Sequence, residues 1–326
     1  EASIKYVLYG SFASGLMLFG MSWLYGQTGS LYFHDLNLML TRYDNASLIS
    51  IISFIFIFAG MGYKISSAPF HYWVPDVYQG APISVTSFFA VAPKVAGLAL
   101  LIRFLYFVLT DFSFLSFNAS SYIYINWNIV LGFLSAVTMT IGNVLALRQD
   151  NIKRILAYSS ISHVGFIMMA LATISSSSIV HMIFYIVMYM FMTLGAFSVA
   201  IFFHRYYNVH TVDDLSGLGY LHPFICSFMV INLMALSGLP PTSGFVAKFY
   251  IFASIIESKS FYWLAVVAVI NTVISLYYYF NLARSMFLEK ESNADKSKVD
   301  APIIIVIVVT SIQGILFYFY WSELYN

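Results

Sequence analysis

Nine apolar runs, each near the length of a membrane crossing, constrain this chain more than any other feature. They fall at about 5–25 (span A), 46–66 (B), 82–108 (C), 122–147 (D), 152–174 (E), 178–203 (F), 222–254 (G), 261–288 (H) and 301–321 (I). A hydrocarbon core takes about 20 helical residues to cross. The runs lack the ~10-residue alternation of a membrane β-barrel. Hydrophobic residues make up 60% of the chain and charged residues 9%, against about a quarter charged in soluble domains. That leaves too little polar material to cover a soluble core of this size, so lipid must solvate most of the exterior. The expected fold is an all-α, polytopic helical membrane bundle forming a single transmembrane domain over 1–326.

Several functions drop out early. A net charge of +1 points to no nucleic-acid partner, and none is expected. The single cysteine, Cys226, leaves no disulfide within the chain and no cysteine-held cluster. Neither a P-loop nor a dinucleotide fingerprint is present. The sequence starts at Glu1 without a methionine and shows no signal peptide with a cleavage site. It is expected to be a fragment lacking an N-terminal portion. Glu1 and Lys5 stand at i,i+4 and can pair on one helix face.

Loop charges give the orientation. With the D–E turn in the cytoplasm, alternation puts Lys5, Arg148, Lys153, Arg154, Arg205, Arg284, Lys290, Lys296 and Lys298 on one side. The other side receives Arg42, Arg103 and Lys259. Nine bases against three is the asymmetry of the positive-inside rule.

Three lysines break the pattern: Lys64 late in span B, Lys94 in the middle of C, and Lys248 in G. A charge at the bilayer centre costs about 2.5–3.5 kcal/mol on insertion scales. Snorkelling explains a lysine near a span end, which suits Lys64 and, less easily, Lys248. It fails for Lys94, with more than ten span residues on each side. The functional alternative places all three inside the bundle beside water. Burial disfavours the charged form and a nearby acid restores it, so such a lysine can switch between charged and neutral states as a proton relay requires.

Two of the three sit beside helix breaks. Span G carries Ser237-Gly238-Leu239-Pro240-Pro241-Thr242-Ser243-Gly244, with Lys248 about one turn later, and B closes on Lys64-Ile65-Ser66-Ser67-Ala68-Pro69. Prolines end a regular helix, and freed backbone at membrane depth needs protein or water around it. B and G cross in opposite directions, the arrangement of inverted-repeat transporters with discontinuous helices. The lysine precedes the break in B and follows it in G, so the repeat itself is not demonstrated. His71 either extends the polar line from Lys64 or is a loop histidine at the membrane face. His163, with Tyr158, Ser159, Ser160 and Ser162, either lines a wet path or pairs between helices. His181, opening span F, reads as interfacial, and the tyrosines as mostly lipid-facing or belt residues.

Three segments carry a family resemblance: Lys64 to Pro82 (KISSAPFHYWVPDVYQGAP), Asn151 to Gly165 (NIKRILAYSSISHVG) and Leu239 to Phe249 (LPPTSGFVAKF). Together they resemble the antiporter-like membrane subunits of respiratory complex I, the proton-pumping NADH:quinone oxidoreductase, and the wording favours the subunit N (subunit 2) branch. The resemblance runs essentially the length of the chain. It implies a fourteen-helix bundle with inverted five-helix repeats, of which these spans would be helices six to fourteen. It also implies proton transfer by Lys64, Lys94 and Lys248, with His71 near the same axis, and a partner glutamate on the fifth helix, upstream of Glu1. No cofactor is then expected in this chain; NADH, FMN, iron–sulfur clusters and quinone belong to partner subunits. The implied partners are the other complex I membrane subunits and, through them, the peripheral arm. The implied location is the bacterial cytoplasmic membrane, with the mitochondrial inner membrane as alternative. A related multisubunit cation/proton antiporter is the rival reading. Pro93, beside Lys94, departs from the family's small residue and is expected to bend span C.

Overall fold

A computed structural model describes residues 1–42, 48–109, 127–173, 175–289 and 301–325; the side chains of 38–42, 109, 176 and 320–325 lie outside the description. Among the described residues the chain is helical, with one isolated β-bridge, Asn151 to Thr211, and no strand. Span A is helix α1 (Ala2–Thr28), followed by α2 (Phe33–Arg42). Span B is α3 (Leu48–Ile65), continued beyond a turn by α4 (Trp73–Gly80). Spans C to F are α5 (Ile83–Leu109), α6 (Trp127–Ala146), α7 (Ile152–Leu171) and α8 (Ser176–Tyr207). The short α9 (Leu218–Leu221) leads into α10 (Pro223–Ser237) and α11 (Ser243–Glu257), the two halves of span G. Spans H and I are α12 (Tyr262–Leu288) and α13 (Ala301–Tyr325).

Eight of these helices are long and apolar enough to cross a membrane. The α10–α11 pair supplies the ninth crossing, since 15 residues of helix reach only about 22 Å. This is a multi-pass membrane protein. Its outer helices turn apolar side chains outward: Ile4, Val7, Leu8 and Phe12 on α1, Val266, Val269 and Val273 on α12, Ile305 and Val309 on α13. Such faces suit a hydrocarbon solvent. Two short helices escape the sequence reading. The polar ten-residue α2 sits against α5, with Phe33 5.9 Å from the Phe104 ring and Asn37 Nδ2 donating to the Phe107 carbonyl at 3.3 Å. The eight-residue α4 carries most of the segment from Trp73 to Gly80 inside the bundle.

α7 lies at the centre, against α4, α5, α6, α8, α11 and α12. Every residue from Ile155 to Leu171 is buried, polar ones included. Its closest neighbour is α6. A Cβ on Gly165 would lie 2.5 Å from the Met139 backbone nitrogen, so only glycine permits this approach.

The helix ends test the orientation. Lys5, Arg148, Lys153, Arg154, Arg205 and Arg284 fall on one face, stitched together by backbone bonds from Ile152 N to His210 O (3.1 Å), Val212 N to Asp150 O (2.9 Å) and Gly217 N to Ser285 O (3.3 Å). Arg103 and Lys259 stand towards the other face. Lys290, Lys296, Lys298 and the Arg42 side chain lie outside the described residues. The Glu1–Lys5 pair forms at 2.6 Å.

Gly165→Leu should force α6 and α7 apart. Overpacking of this kind costs about 1–3 kcal/mol, so thermal unfolding of the detergent-solubilised variant should begin at a clearly lower temperature. An unchanged melting curve would contradict this account of the α6–α7 contact.

Candidate functional site

Lys94 is fully enclosed. Its Nζ donates to Ser160 Oγ at 2.5 Å, and the Ser160 hydroxyl donates to the Ala157 carbonyl at 2.6 Å. The Tyr78 ring, carried on α4, lies 5.5 Å from the ammonium. The bend expected at Pro93 does not interrupt α5, which runs unbroken through it. A proline removes one helix hydrogen bond. One residue along, the Ala90 carbonyl accepts from Tyr189 Oη at 2.9 Å, tying this turn of α5 to α8.

Lys248 is 5% exposed and sits in the second turn of α11. Its Nζ donates to the carbonyls of Ser237 (2.8 Å) and Leu236 (3.3 Å), at the C-terminus of α10. Those carbonyls have no partner further along the helix, and the negative end of the dipole favours a cation there. The break in span G is thereby a cation seat. Gly238 completes it: φ is 81° and a Cβ would meet Lys248 Cδ at 2.7 Å. The Phe166 ring, on α7, lies 4.6 Å from the ammonium.

α7 joins the two lysines. Ser160 and His163 are three residues apart and share a face. His163 Nδ1 bonds Tyr185 Oη at 2.8 Å and Nε2 meets Tyr279 Oη at 3.3 Å; Tyr279 in turn bonds Ser159. His163 therefore pairs between helices.

Lys64 stands apart. It ends α3 with an exposed side chain, between buried Tyr63 and Ile65. The backbone freed at this break is held by protein: Trp73 Nε1 donates to the Tyr63 carbonyl at 3.2 Å, and Thr138 Oγ1 accepts from Ala68 N at 3.0 Å. His71 lies in the turn, 2% exposed and stacked on Tyr72, so it is no histidine of an exposed loop. Its Nδ1 has no partner among the described residues. Lys94 and Lys248 thus both meet α7, at Ser160 and at the Phe166 ring; Lys64 and His71 occupy the neighbouring α3–α4 break. Among the described residues no cluster of His, Cys, Asp and Glu could hold a metal ion.

Several participants are invisible in the sequence reading. Tyr78, Tyr185, Tyr189 and Tyr279 are buried rather than lipid-facing, and His181, near the start of α8, is buried and bonded to Ser254. Asp76 receives Lys5 Nζ at 2.6 Å and Arg154 Nη1 at 2.8 Å, tying α4 to α1 and α7. Lys153 Nζ adds bonds to the Gln79 and Ala81 carbonyls at the end of α4. The i,i+78 spacing of Asp76 and Arg154 carries no local signal.

The transmembrane family of NADH:quinone oxidoreductase and Mrp antiporter subunits matches residues 1–275. The chain belongs to this family. A relative within it, NADH-quinone oxidoreductase subunit N 2 of Sorangium cellulosum, is 39% identical over all of this chain and 65% of its own length. The chain spans less than two thirds of the length of the curated relatives it matches. A chain of respiratory complex I from Thermus thermophilus superposes with a TM-score of 0.80 at 28% identity, over 99% of this chain and 67% of that one. A chain of the Mrp complex from Dietzia sp. DQ12-45-1b superposes at 0.86 with 19% identity, over 99% and 66%; it shares the fold. The resemblance read from the three motif segments is borne out at the level of the family.

Asp76→Ala should free two cations and loosen α4. Hydrogen bonds to charged groups contribute about 1.5–3 kcal/mol each, and a third of exposure reduces that. A lower melting temperature, partly restored in Asp76→Glu, is the expected result. Equal melting of Asp76→Ala and the parent would remove this clamp from the account.

Proposed function

We propose that the chain is a proton-translocating part of the membrane arm of an NADH:quinone oxidoreductase, of the subunit N kind, in a bacterial cytoplasmic membrane. One observation carries the reading: Lys94 and Lys248, on different helices, are both enclosed at membrane depth and both meet α7, Lys94 at Ser160 and Lys248 at the Phe166 ring. Ionisable groups so placed mark ion pathways. The names of the curated relatives and the 28% identity with a complex I chain, against 19% with the Mrp chain, support this assignment over a cation/proton antiporter.

In this reading a proton moves along the row by alternation of charge. A proton reaching Lys94 is released through Ser160 towards His163. His163 accepts at one ring nitrogen as it gives up a proton at the other, aided by the Tyr185 and Tyr279 hydroxyls. Lys248 takes up the charge on the carbonyl seat of α10. Lys64, exposed at the edge of α3, exchanges protons with an acid on a helix outside this sequence, and His71 extends that end of the path. Moving one charge against the membrane potential costs about 2.3 kcal/mol per 100 mV. That energy comes from oxidation of NADH and reduction of quinone in partner subunits, where FMN and iron–sulfur clusters reside. The partners of this chain are the other membrane-arm subunits, and it remains a single transmembrane domain within them.

Lys94→Met and Lys248→Met should each assemble and yet lower proton translocation at least about tenfold, a modest share of what a positioned acid–base group contributes. Proton uptake by membrane vesicles at matched complex content measures it. Normal pumping in both variants would overturn the relay.

A further inference from the structure

A second polar cluster lies between α6 and α12, and the relay does not use it. Asn143 on α6 and Asn271 and Tyr278 on α12 are all buried. Asn143 Nδ2 donates twice to Asn271, to Oδ1 at 3.0 Å and to the backbone carbonyl at 3.1 Å. Asn271 Nδ2 donates to Thr140 Oγ1 at 3.0 Å and to the Val267 carbonyl at 2.9 Å. Tyr278 Oη donates to Asn143 Oδ1 at 3.0 Å. A side-chain amide offers two N–H donors and an accepting oxygen. Both amides use all three, so neither can turn over without losing bonds.

The placement of these bonds matters more than their number. Asn271 and Tyr278 are seven residues apart, about two turns, so they share one face of α12. Both converge on Asn143. Hydrogen bonds are directional, and bonds from two turns fix the rotation and the height of α12 where apolar packing alone would let it slip. α6 is itself fixed on α7: a Cβ on Gly142 would lie 2.6 Å from the Ser162 backbone nitrogen. Gly142 thus faces α7, while its neighbour Asn143 faces α12. The next residue on α12 after Tyr278 points about 100° further round the helix. That residue is Tyr279, whose hydroxyl bonds Ser159 and meets His163 Nε2 at 3.3 Å.

We propose that Asn143, Asn271 and Tyr278 are positioning residues of the proton relay, holding α12 in the register that puts the Tyr279 hydroxyl on His163. The inference rests on the relay reading above and concerns none of the groups that carry the proton. Among the described residues these three make no hydrogen bond to Lys94, Lys248 or His163. With Tyr279 in place, each ring nitrogen of His163 has a hydroxyl partner, Tyr185 at Nδ1 and Tyr279 at Nε2. The ring can then gain a proton at one nitrogen as it yields one at the other. If α12 turns or slides, Nε2 loses its partner and that exchange stalls, while Lys94 and Lys248 keep their own bonds on α7 and α10.

Double variants in the assembled complex test it. Asn271→Leu and Tyr278→Phe are each made with and without Tyr279→Phe, and proton uptake by membrane vesicles is followed across a pH range at matched complex content. Asn271→Leu should slow translocation severalfold and alter its pH profile as Tyr279→Phe does. Adding Tyr279→Phe should then cost little more, because both changes act on the same bond. Tyr278→Phe removes one hydroxyl and keeps the ring; it should act in the same way to a smaller extent, and it decides the matter if Asn271→Leu fails to assemble. Parental pH profiles in both variants overturn the proposal, even where melting temperatures fall. So do losses that multiply with that of Tyr279→Phe, or parental translocation by Tyr279→Phe itself. Such a failure alongside inactive Lys94→Met and Lys248→Met variants removes the positioning role alone, whereas active lysine variants remove the relay beneath it.

Discussion

A helix terminus left open inside a bilayer must find partners, and that requirement shapes the whole polar interior of this protein. α10 stops at Gly238, leaving the Leu236 and Ser237 carbonyls without helix partners. Lys248 answers them from the next half-helix. Each group makes the other tolerable: the carbonyls offset the desolvation of an ammonium, and the ammonium satisfies backbone that hydrocarbon would leave orphaned. Remove either and the cost falls on its partner. A seat held by backbone carbonyls can also lose and regain a proton without rearranging side chains. A carboxylate partner would bind the proton's charge more firmly.

The break in the opposite direction is built differently. At the end of α3 the Trp73 indole takes the role that Lys248 plays at α10, donating to the Tyr63 carbonyl. Lys64 is thereby released from capping duty and points away from the core. The two breaks share a backbone strategy and differ in where the cation goes. One lysine is enclosed by its own break, and the other is presented at an edge.

The membrane class, the nine crossings and the basic face were legible because they depend on local composition and length, which a sequence states directly. The break in span G was legible because Gly238, Pro240 and Pro241 are themselves the break. The break after Lys64 was half legible. Pro69 marks it, but α4 is eight residues long and no apolar run announces it. The tyrosines were misread because a membrane tyrosine has two favourable settings, the headgroup belt and a bonded interior, and composition cannot separate them. Which setting applies depends on the helix opposite. Tyr185 is inside because His163 faces it, and His181 because Ser254 does. Likewise the partners of Asp76, Lys5 and Arg154, lie 71 and 78 residues away in the sequence.

Enclosure of α7 is what converts these separate pairings into one site. A helix with lipid on one flank can turn its polar residues only towards the remaining neighbours, and the membrane face must stay apolar. α7 has neighbours on every side, so serines, a tyrosine and a histidine can occupy successive turns and each still find protein. Ser160 then meets Lys94 on α5, while His163 meets α8 and α12. The same enclosure demands glycine at position 165, where α6 presses closest. Close packing and the polar row are therefore one design. A bundle loosened around α7 would admit lipid or water at random and lose the defined sequence of donors and acceptors that a proton path needs.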